Sequence, residues 1–327
     1  MSRVPTAQET DERDLRAALD WFLDVAPDRG ELERRIGRAQ EHYRAACRPS
    51  GPSGHISVDG PDTSQLLLAD DRIASALAQG ASWLGDRRSY DALLGAQFVP
   101  FLASIGRQAE LLRRRPGATA RVQRMLHPTV EHPGDGLLVL AAAARYARED
   151  FEVSFNSESN RTTGDLVIRI AEIPRAMEVA CCTLRPDGDQ RHESLGPGAQ
   201  RISTELARLD RQLSRADLGI VHIGIEAESD ASDAVTADQR RRENLAAIRA
   251  FNPRSRIAEL HLHYFEGAGG QGAGGQGAGG EAVDRHSRWH GFLLEDPRLL
   301  EPVADLQRAG GVDGTGGTGG TGASNSR

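Results

Sequence analysis

Lysine is missing from this chain: all 40 basic residues are arginine. No side chain can therefore act as a tunable ammonium, because arginine stays protonated and does not serve as an acid or base. Cysteine is scarce. Cys47, Cys181 and Cys182 give an odd count with no CxxC spacing, which fits buried thiols in a reducing compartment better than a disulfide scaffold or a zinc knuckle. Long apolar runs are also lacking; the best candidate, residues 137–144, falls far short of the ~20 residues a bilayer span needs. The first residues lead into charge with no apolar stretch of the kind a secretory signal carries, so the expected location is cytoplasmic. Hydrophobic residues at 39% suffice for a core, and 327 residues suit one large or two ordinary domains. A net charge of −7 argues against a non-specific nucleic-acid coat, which needs a basic surface.

Periodicity divides the chain. Leu15, Leu19, Phe22 and Leu23 form one helical stripe, and Leu32, Ile36, Ala39 and Tyr43 a second, preceded by the capping pair Asp28 and Glu31. Further helical patterns follow around Ile73, Leu77 and Leu84 and around Leu94, Phe98, Leu102 and Ile105, the last with a break expected at Pro100. Residues 1–130 therefore read as a mainly helical region. Residues 131–308 read as an α/β domain: a helix over 135–148, strands over 151–155, 165–170 and 176–183, a helix over 196–215, a strand over 218–225, a helix over 237–251 and a strand over 256–265. The fold class expected is α/β, a mixed sheet with a helix-strand-strand-strand-helix-strand core. Residues 267–280 repeat Gly-Ala-Gly-Gly-Gln inside a hairpin whose return strand is 289–294, and residues 309–327 form a Gly/Thr-rich tail. Such tracts have nothing to bury and read as flexible coil.

The chemistry concentrates in Gly164-Asp165-Leu166-Val167-Ile168 and Met177-Glu178-Val179-Ala180-Cys181. An acid opens one strand and a second acid lies in the next, so a tight turn at Glu172-Ile173-Pro174 predicts that Asp165 and Glu178 face one cleft. Two carboxylates on a sheet suit Mg²⁺, which takes oxygen ligands and can activate water at a phosphoryl group. The alternative is structural, with Asp165 solvated or capping a turn and Glu178 paired to Arg169 or Arg175.

These residues and the element order over 135–265 resemble the PD-(D/E)XK nuclease superfamily and its restriction-endonuclease-like core. The resemblance makes Asp165 and Glu178 the metal-binding and catalytic acids and Asp135 the acid from the preceding helix. It gives the Val179 carbonyl a main-chain contact to Mg²⁺. The family's lysine position is Ala180, so the resemblance implies a degenerate, inactive or weakly active nuclease-like protein that binds nucleic acid or a protein. An active metal-dependent nuclease and a purely structural or protein-interaction module are the competing readings.

Two other groups complete the inventory. Arg201, Arg208, Arg211 and Arg215 share one expected helix and form either a solvated face or a phosphate contact. His261 and His263 share a strand face by alternation, and the hairpin brings His286 and His290 into consideration as zinc ligands, against a reading as surface histidines. No GxSxG, HExxH, phosphate-loop or dinucleotide pattern occurs.

Overall fold

The computed structural model describes residues 11–46, 68, 70–86, 89–130, 133–156, 164–170, 173–184, 198–213, 218–225, 246–247, 257–266 and 288–293. Helix α1 (Glu12–Val25) starts at Asp11, whose carboxylate accepts the Arg13 N–H. Helix α2 (Arg29–Ala46) opens with the cap read from the sequence, Asp28 Oδ1 accepting the Glu31 N–H at 2.9 Å. Then come α3 (Arg72–Leu84), α4 (Ala92–Arg107), the single turn α5 (Ala109–Leu112) and α6 (Ala118–Met125). Helix α4 is continuous across Pro100, correcting the expected break. One lost backbone bond is outweighed there by burial of Phe98, Val99, Phe101, Leu102 and Ile105. Where α4 meets α1, the backbone at Gly106 passes so close to the Asp14 carbonyl that a Cβ would overlap it.

Helix α7 (Pro133–Arg148) begins with proline at its first position, where no intrahelical N–H is lost. Every residue from Leu137 to Ala144 is buried. A helix apolar all round must be enclosed, and α7 lies between the preceding helices and the sheet. One hydrophobic cluster runs from Leu15 and Phe22 through Leu102 and Leu140 to Val153, Leu166, Ile168, Val179, Cys181 and Ile220.

The sheet contains β1 (Glu152–Phe155), β2 (Leu166–Ile170), β3 (Ile173–Leu184), β4 (Leu218–Ile225), β5 (Ile257–Glu266) and β6 (Arg288–Leu293), in that spatial order. Strands β1, β2 and β3 form the antiparallel meander that alternation predicted, β3, β4 and β5 are parallel, and β5 pairs antiparallel with β6. The sheet is therefore mixed and the architecture α/β. Its other face carries a second cluster, in which Ala180, Cys182, Val221, Ile223 and Leu260 meet Ile202, Leu206 and Leu209 of α8 (Gly198–Gln212).

One further expectation shifts. Pro174 lies inside β3 rather than in the turn, and the β2–β3 register slips beside it between Arg169 and Ile170. Strand-end and bulge positions tolerate a residue that cannot donate to the ladder. The helix expected over 196–215 is seen as α8 over Gly198–Gln212, and residues 196–197 and 214–215 lie outside the described residues. That expected over 237–251 lies outside the described residues except for Ala246 and Ala247, which are helical. The glycine-rich tracts also lie outside them. Because loop-closure entropy changes slowly with length, trimming residues 267–280 to five or six is expected to leave the thermal midpoint within ~2 °C; differential scanning calorimetry of the two forms checks this. Among the described residues, no helix is long and apolar enough to cross a membrane.

Candidate functional site

Strand β2 begins one residue after Asp165, and that start creates the site. The Asp165 N–H donates to the Val179 carbonyl at 2.6 Å, the last backbone bond of the β2–β3 ladder here. Among the described residues, no strand lies opposite the next N–H of β3 on that side, Cys181. That N–H donates to Asp165 Oδ2 at 2.8 Å. Two residues on, the Thr183 N–H donates to Asp135 Oδ1 at 2.6 Å, a carboxylate held in the first turn of α7. Two acids thus take the place of the missing strand along the β3 edge. A buried N–H left without an acceptor would cost about 1–3 kcal/mol.

Asp165 has a second partner. Arg121 of α6 donates from a terminal guanidinium nitrogen to Oδ1 at 3.0 Å. Only 7% of the Arg121 side chain and 18% of that of Asp165 are exposed, so this charge pair sits largely out of water. Glu178 behaves differently. Its Cα partner across the ladder is Val167, while Leu166 faces Val179, so extending the register by one sets Asp165 opposite Ala180 and not opposite Glu178. Glu178 Oε2 accepts the Gly164 N–H at 2.8 Å. Gly164 is required at that point, since a Cβ would stand 2.7 Å from the Val179 carbonyl oxygen.

The expectation of one cleft holding Asp165 and Glu178 is thus met only in part. The acids gather at one corner of the sheet, each anchored to a different backbone N–H. Asp165 and Asp135 grip N–H groups two residues apart on one strand, which separates their bonded oxygens by about 7 Å. A shared Mg²⁺ needs its oxygens at about 2.1 Å each. The Val179 carbonyl is already the acceptor for Asp165, and the Arg121 charge stands where a cation bound to Asp165 would be repelled. Among the described residues, no group of three or more His, Cys, Asp or Glu side chains gathers around a common metal position.

The paired thiols border this corner. Burial pushes both Cys181 and Cys182 well above the ordinary thiol range. Asp165 adds to the effect on Cys181 and Asp135 and Glu205 to that on Cys182, while Arg121 and Arg208 oppose it. The native thiols stay protonated where those of the unfolded chain ionise. Stability is therefore full below about pH 8.5 and falls above it, by up to about 1.4 kcal/mol per pH unit for each thiol. Urea unfolding between pH 7.5 and 9.5 is expected to show this decline, and a Cys181→Ala/Cys182→Ala variant to show a flatter one.

The arginine face is partly self-satisfied. Arg208 donates through Nε to Glu205 at 2.6 Å and reaches Gln212 at 3.4 Å, and Arg211 Nε donates to the Ala207 carbonyl. Arg201 is half-buried on the same helix, and Arg215 lies outside the described residues. The histidines do not form the group of four considered from the sequence. His290 faces Tyr264 in the β5–β6 register, one residue out of step with His261 and His263, so it belongs to the opposite face; His286 lies outside the described residues.

Sequence reasoning missed Arg121, His222 and Tyr146. Arg121 lies 44 residues before its partner in a different helix, and no local pattern marks it. His222 looked like an ordinary strand residue, yet it is fully buried with Nε2 2.8 Å from the Tyr146 hydroxyl. Compared with protein-family models, curated proteins and solved structures, the chain matches none.

Proposed function

We propose that this chain is a catalytically silent, PD-(D/E)XK-like domain that works by binding a protein partner. The run α7-β1-β2-β3-α8-β4, with an antiparallel meander followed by a parallel strand, supports a restriction-endonuclease-like core. The observation that carries the silent reading is the fate of Asp165: one oxygen on the Cys181 N–H, the other on Arg121. The acid that would hold a metal acts instead as the end of a strand ladder. Ala180 offers no cation to orient water, and general acid–base groups of that kind are typically worth ~10²–10⁴-fold in rate.

A protein partner is favoured over nucleic acid because the charge balance is acidic and Arg208 is paired along its own helix. The test has two arms. Purified chain incubated with Mg²⁺ or Mn²⁺ and single- or double-stranded DNA or RNA is expected to cleave nothing above the buffer blank. Metal-dependent cleavage abolished by Glu178→Ala would overturn the proposal and establish a nuclease. In the second arm, fluorescence anisotropy with labelled oligonucleotides at 150 mM salt is expected to give a Kd no tighter than ~10⁻⁴ M, the weak end of non-specific binding. Micromolar binding lost in Arg201→Ala/Arg211→Ala would replace the protein partner with nucleic acid.

A further inference from the structure

No further inference is drawn: the strongest candidate, the arginine-rich turn of residues 113–115 leading into the N-terminus of α6, where Gly117 supplies no side-chain cap, carries nothing, because Arg113 already pairs with Asp24 and Arg115 with the Phe151 carbonyl and nothing else among the described residues points to a ligand at that helix end.

Discussion

Ala180→Lys is expected to destabilise the native state by about 4–5 kcal/mol at pH 7, because a fully buried lysine has its pKa lowered by ~3–5 units while that of the unfolded chain stays near 10.4. A lysine at this position is what the proposed nuclease-like reading would call for in an active enzyme, but the position does not permit it. Ala180 is fully buried between strands, in the cluster that Ile202, Leu206, Val221 and Ile223 also form. A four-carbon stem ending in an ammonium must either push α8 off the sheet or sit in the core as a neutral amine. Overpacking alone typically costs 1–3 kcal/mol. Since a domain is held together by only about 5–15 kcal/mol, urea unfolding should show most of the stability lost and no gain of cleavage. A lysine variant as stable as the parent would mean that α8 does not cover this strand as described.

Features with a period were legible in the sequence. The stripe on α1, the cap at Asp28, the alternation of β1 to β3 and the buried run of β4 follow from local rules, because one face of each element must leave water. The expected limits of β4 agree with those of the strand, Leu218–Ile225. Interactions between distant segments were not legible. Asp165 was recognisable as an acid at a strand start, but its partner Arg121 comes from a helix of the preceding region, and its other partner is a backbone N–H left outside the ladder because β2 starts only at Leu166. Asp135 caps Thr183 across 48 residues in the same way. The place of Glu178 was legible only in part: it shares a strand face with Ala180, the position opposite Asp165, so the two acids are diagonal neighbours, while the ladder sets Val167 directly opposite Glu178. Pro100 shows the converse, a strong local breaker overridden by the packing of α4 into the core.

Asp165→Ala is expected to cost about 3–5 kcal/mol, the usual penalty for removing one member of a buried ion pair. The loss has two separable parts. The Cys181 N–H loses its acceptor, and the guanidinium of Arg121 loses a counter-charge in a place where only 7% of its side chain is exposed. Asp165→Asn divides them, since the amide oxygen can still accept from Cys181 while the charge is gone, so its cost should fall between that of the parent and that of alanine. Adding Arg121→Met to Asp165→Ala should recover part of the loss, because an apolar side chain of similar length leaves no buried charge; the coupling expected from the double-mutant cycle is ~1–3 kcal/mol. Glu178→Ala, which releases only the Gly164 N–H from a half-buried carboxylate, should cost about 1 kcal/mol. This ranking separates the two meanings of the acid cluster. In a metal site, Asp165 and Glu178 would be held apart by mutual repulsion in the metal-free state, and neutralising either would raise stability. Chemical denaturation of these variants and of Arg121→Met alone, without divalent cations, decides it: a stabilised Asp165→Ala would mark Asp165 as a metal ligand, and a deeply destabilised one marks it as the acid that closes the open edge of β3.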